Sequence, residues 1–139
     1  MDPLDQAVTL VESLDFEMIK LKLLDPNTGK GWSQDYCERA CAEYRRFLAL
    51  KRAYPALVAI VPSSPVDTFW HHHILDTRKY AADCEAVFGS FLHHFPYYGM
   101  GGGQDLDDLQ RSWINTRSAY QRHFGPPPDD LWQSPVQCG

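Results

Sequence analysis

The sequence predicts an all-α fold: a compact single-domain bundle of about four main helices, with a histidine- and glycine-rich loop between the last two. Three observations carry this. Apolar residues recur at spacings of three and four through the longer segments. Glycine and proline fall between those segments and punctuate them. The 139 residues, 44% hydrophobic and 22% charged, suit one domain with its own core.

A short first helix is expected over about residues 4 to 14. Beyond Asp15 the apolar residues Phe16, Met18, Leu21 and Leu24 fit no single period, so the type of that piece stays open. Residues 25–31 read as a loop, because Pro26 biases Asp25 away from helix and the glycines permit tight turning. Ser33 is placed as an N-cap, with Asp35 near the positive end of the helix dipole. In the helix that follows, Cys37, Ala40, Cys41, Tyr44, Phe47 and Leu48 form an apolar stripe, while Arg39, Glu43, Arg45 and Arg46 lie off it. Cys37 and Cys41 have the spacing of a metal clip or redox pair, but thiols on such a stripe read first as small buried hydrophobes, and reduced thiols are expected. Tyr54-Pro55 ends the helix, and residues 57–61 are a short strand or a buried connector.

Pro65 suits the first turn of the next helix, after a Ser64 cap. Val66, Phe69, Trp70, His73, Ile74, Thr77, Tyr80, Ala81, Cys84, Val87 and Phe88 form one unbroken stripe, and Gly89 supplies the stop. After the glycine run at 99–103 a last helix, capped near Gln104 or Asp105, presents Leu106, Leu109, Trp113, Tyr120 and Phe124. Trp70 and Trp113 are expected to meet in the core. Residues 1–125 form the helical domain, and residues 126–139 a Pro-rich polar tail that is loosely held.

A formal net charge of −5 argues against a protein that grips phosphate backbones or anionic membrane, so no nucleic-acid or membrane partner is expected. No apolar run approaches the roughly 20 residues that cross a bilayer. The acidic start, Met1 to Asp5, lacks the basic region and apolar core of a signal peptide, and the expected location is cytoplasmic.

Five of the six histidines fall in two clusters, His71-His72-His73 and His93-His94. At about 100° per residue, His73 lies inside the apolar stripe, His72 points away from it, and His71 sits on the flank one turn after Asp67. An aspartate at that spacing either shares a metal ion with the imidazole or holds it in one tautomer. A further ligand must come from elsewhere, and His93 or His94 can supply it if the chain turns back after Gly89. Imidazole with carboxylate suits zinc or iron(II), and three protein ligands with an open position make a reactive arrangement. The candidate ligands are therefore Asp67, His71, His94, His73 and His93. Against this stands a plainer reading, in which histidines and aromatic residues pack a small core and Asp67 only caps its helix. There is no HExxH. Ser63, Ser64 and Ser90 lie in no nucleophile elbow, and the glycine run lacks the Lys-Ser/Thr of a phosphate-binding loop.

The run from Val66 to Leu75, followed by Tyr80, Asp83-Cys84, Phe88-Gly89 and Leu92-His93-His94, resembles the N-terminal domain of plant glycine-rich domain-containing proteins and their short bacterial relatives. Their pattern is approximately D-x-x-W-H-x-H-x-L, then Y, D-C, F-G and a later H. The resemblance covers about the central third of the chain. It implies weight on Asp67, Trp70, His71, His73, Tyr80, Asp83 and His94, but not on His72, and it imports no reaction. The functional expectation is a histidine/aspartate site that binds a transition metal and acts on a small or peptide substrate. The alternative is a non-enzymatic module whose histidines are structural and whose aromatic residues and tail engage a protein or peptide partner.

Overall fold

The computed structural model describes residues 2–54 and 59–134, and all regular structure there is helical. The Asp2 carboxylate accepts the Asp5 N–H at 2.8 Å and opens α1 (Pro3–Glu12), whose first position holds the proline that lacks a donor. The unassigned piece forms α2 (Glu17–Leu24): Ile19 and Leu23, one turn apart, are buried with Phe16, while Met18 and Leu21 face outward. Ser33 caps α3 (Gln34–Ala53) as expected, its hydroxyl accepting the Tyr36 N–H. This 20-residue helix is the axle of the fold, packed against α1, α2, α4 and α6. The described part of the following connector, residues 59–61, is not a strand; Ile60 and Val61 are buried and Thr116 accepts the Val61 N–H. Residues 57 and 58 lie outside the described residues.

Two expectations about the central helix are corrected. Its cap is Ser63, not Ser64. And the single helix expected up to Gly89 is two, α4 (Ser64–Leu75) and α5 (Thr77–Phe88), separated at Asp76, whose ψ of 75° leaves the helical region. In a continuous helix, residues ten apart stand about 15 Å apart along the axis. Here the Trp70 Nε1–H donates to the Tyr80 hydroxyl at 2.9 Å, and His73 Nε2 meets Asp83 Oδ2 at 2.8 Å. The chain must reverse at Asp76 for both contacts to exist. Gly89, at φ 71°, closes α5 in the left-handed conformation.

The last helix is α6 (Gly103–Phe124), so the described residues form six helices where about four main ones were expected. Asp105 does not cap it; its carboxylate turns back and accepts the N–H groups of Gly99 and Gly101, both at 2.9 Å, and so ties down the glycine run. Gly99 has φ 88°, and a side-chain carbon there would stand 2.5 Å from Leu109 Cδ2, which only glycine avoids.

The core is aromatic. Tyr44, Phe16, Phe47, Phe69, Tyr80 and Tyr120 are buried, as are Cys37, Cys41 and Cys84, all free thiols; burial raises the Cys37 thiol to about 11. Trp70 and Trp113 take other ring partners: Trp70 lies on Phe47 and His94, and Trp113 stacks on Trp132. That last contact overturns the expectation of a loosely held tail for residues 130–132. Trp132 is fully buried and donates its Nε1–H to Glu43 Oε1 at 2.8 Å, and Arg39 grips Asp130 through two bonds of 2.8 Å. Residues 135–139 lie outside the described residues.

Trp132→Ala is expected to cost about 3–5 kcal/mol, since it removes a large buried ring and a donor to a buried carboxylate. Ile114→Ala, on the exposed face of α6, should stay within about 0.5 kcal/mol. Denaturant midpoints measure both, and an unmoved Trp132→Ala midpoint would place that residue outside the cooperative core.

Candidate functional site

Asp67 sits in the first turn of α4 and His71 one turn later on the same flank. His94 comes from the segment after Gly89, and three contacts bring it back. The Tyr80 hydroxyl, which accepts from Trp70, donates to the Leu92 carbonyl; the Trp70 ring lies 4.3 Å from the His94 ring; and His71 and His94 meet edge to face at 4.7 Å.

The result is a tight cluster. His94 Nε2 is 2.6 Å from Asp67 Oδ1, His71 Nε2 is 3.2 Å from Asp67 Oδ2, and the two Nε2 atoms are 3.1 Å apart. One donor atom from each residue lies within 4.8 Å of the others, so the three side chains can share an ion. Exposure is graded: the His71 side chain is 50% exposed, Asp67 32% and His94 13%. Burial pushes the His71 imidazole below its ordinary range, with Asp67 opposing and His94 adding to the shift, which leaves a neutral ring able to offer a lone pair near pH 7.

The other sequence candidates are placed elsewhere. His73 is buried with both ring nitrogens engaged: Nε2 faces Asp83, which Lys79 also contacts at 3.0 Å, and Nδ1 faces the Tyr44 hydroxyl at 2.7 Å. A carboxylate accepts only, so Nε2 carries the proton and the Tyr44 O–H donates to Nδ1. His73 therefore has no nitrogen left for an ion and serves the core. His93 is exposed and packs on Phe91, outside the cluster. His72 donates from Nδ1 to the Thr68 carbonyl of its own helix.

Asp67, Trp70 and His94 also line a cavity of about 400 Å³, walled by Ile60, Val61, Phe95, Tyr98 and Leu109 and reached by Lys51. Sequence reasoning missed Lys51, because a lysine in the last turn of a helix reads as a solvated charge at the negative end of the dipole.

Burial also lowers the His73 pKa, against the raising effect of Asp83. The sign follows: the unfolded chain takes up the proton first, so the stability contributed by neutral His73 is complete above the ordinary value of 6.5 and is lost as pH falls below it. One such group gives a slope of at most about 1.4 kcal/mol per pH unit. Unfolding midpoints should fall between about pH 7 and 5.5, and His73→Gln should flatten that fall. An equal slope in the variant would assign the titration to another group.

Neither a curated protein nor a solved structure matches the chain. Residues 7–121 match the model of a family described as UCP032817-like, and that span takes in all but the start of α1 and the end of α6, with both histidine clusters. On that match, the chain belongs to the UCP032817-like family.

Proposed function

We propose that the protein binds a divalent transition metal, zinc or iron(II), through Asp67, His71 and His94, with open coordination positions towards the cavity and a substrate. The proton arithmetic of the cluster carries this reading. Its four polar atoms approach in three pairs, at 2.6, 3.2 and 3.1 Å. Protonating both Nε2 atoms satisfies the carboxylate but sets N–H against N–H. Protonating one leaves the other lone pair facing the carboxylate. With Asp67 ionised, protons on the rings leave a repulsive contact in either case, whereas a cation among the three satisfies them all.

The spacing agrees. Two nitrogens bound to one ion at about 2.0–2.1 Å stand about 2.9 Å apart in octahedral geometry and about 3.4 Å in tetrahedral. The observed separation is 3.1 Å. A carboxylate that merely oriented a ligating imidazole would accept from the nitrogen turned away from the ion. Asp67 meets both rings at the nitrogens that face each other, which supports a ligand role for it. A two-histidine, one-carboxylate set with room for further ligands is the donor arrangement of reactive zinc and non-haem iron(II) sites.

The rival reading, a module that engages a protein or peptide through surface aromatics, draws on Phe91, Phe95 and Tyr97, all exposed. Calorimetric titration of tag-free protein with zinc, and with iron(II) under anaerobic conditions, separates the two. We expect about one equivalent bound, weakening as pH drops towards 6 because ligating imidazoles must be deprotonated. His71→Ala, His94→Ala and Asp67→Ala should each lower affinity by more than about 100-fold, beyond the 10- to 100-fold typical of an orienting partner. His93→Ala should leave it unchanged. Wild-type protein that takes up neither metal would sink the proposal and leave the interaction module standing.

A further inference from the structure

Lys51 reaches the cavity from the last turn of α3, half-buried, with its ammonium 5.9 Å from the centre of the Phe47 ring. It is the one lysine or arginine of the lining, and every ion pair found among the described residues leaves it out. The remaining wall is apolar and aromatic apart from Ser64, the Tyr98 hydroxyl, and the metal-site side with His93. A volume of about 400 Å³ is that of a small-molecule pocket, too small for a folded partner.

We infer that this cavity binds a small organic monocarboxylic acid, its apolar body against Trp70, Phe95, Ile60 and Leu109 and its carboxylate on the Lys51 ammonium. As the substrate class of the metal site this rests on the reading above; as a binding site it needs only the cavity. The chemistry of the wall selects the ligand. A half-buried ammonium without an acid partner gains from a ligand that brings the missing negative charge. One compact ammonium matches a single carboxylate, whereas a phosphate dianion calls for further donors such as a guanidinium fork or a row of backbone N–H groups. A neutral ligand would leave the ammonium unpaired. Burial alone holds the Lys51 amine below its ordinary range, and carboxylate binding would restore it.

The test uses tag-free, chelator-treated protein and two probes of similar shape, 3-phenylpropanoate and 3-phenylpropanol, followed by calorimetry. The expected result is a preference of tenfold or more for the acid. Lys51→Met should abolish the preference and Lys51→Arg should keep it, with Lys51→Gln as the charge-free variant if the methionine form does not fold. Ile114→Ala, exposed on α6 and absent from the lining, should keep the preference as well. Equal binding of acid and alcohol to the wild type, no binding of either, or a preference that survives loss of the Lys51 charge would overturn the inference. Failure of the metal reading shows separately, as protein that prefers the acid but takes up no zinc or iron(II).

Discussion

The hydroxyl of Tyr80 is the point on which the site depends. It is buried, it accepts from the Trp70 indole on α4, and it donates to the carbonyl of Leu92. A buried hydroxyl left unpaired costs about 1–3 kcal/mol, while each bond made contributes about 1 kcal/mol net. The geometry that satisfies Tyr80 is therefore strongly preferred, and it is available only if α5 folds back on α4 and the chain after Gly89 returns along the same side. Those two conditions bring His94 beside His71. Burial drives the Tyr80 phenol far above its ordinary pKa, so it remains a donor throughout the physiological range.

His71 and His73 show how one helix divides its histidines. Two residues apart, they point about 200° apart around the axis. His73 enters the aromatic core against Phe16 and Tyr44, where a polar ring is tolerated because Asp83 and Tyr44 satisfy both its nitrogens. His71 stays half-exposed, with Nε2 directed at Asp67 and His94. The W-H-x-H pattern thus joins a packing histidine to a site histidine, and Trp70 between them touches both the core and the His94 ring.

The helical class was legible because its signal is local: caps at Ser33, the stop at Gly89 and the stripe of α3 each occupy a few residues of sequence. The flank shared by Asp67 and His71 was legible for the same reason, and their meeting with His94 was reached from the stop at Gly89 and the resemblance to the plant glycine-rich domain-containing proteins. What escaped depends on contacts between distant residues. The break at Asp76 interrupts an apolar stripe that stays in phase across it, so periodicity alone cannot see it; the only local hint is Asp76-Thr77, a pair that favours helix ends over interiors. Leu131 and Trp132 show no period because they are two lone anchors in a Pro-rich segment, and their burial depends on Glu43, which lies 89 residues from Trp132 in sequence. Lys51 escaped because its surroundings, Ile60, Tyr98 and Leu109, are assembled by three separate segments.

The buried Glu43 links the C-terminal segment to the site. A carboxylate in a protein interior is tolerated only when its oxygens are occupied, and here Tyr120 and Trp132 donate to one while Arg46 contacts the other. Trp132 is held in that position, and beside it the Leu131 carbonyl accepts the Ser63 hydroxyl at 2.6 Å. Ser63 is the cap of α4, and its own carbonyl accepts the Asp67 N–H at 2.8 Å in the first turn of that helix. The position of Asp67 is thus set by a chain of polar contacts that runs from α3 through Trp132 and Leu131 to the start of α4. Tyr80 positions His94 from one side and Ser63 positions Asp67 from the other. The site lies where two separately anchored segments meet, which is how the three polar side chains are kept within reach of one another.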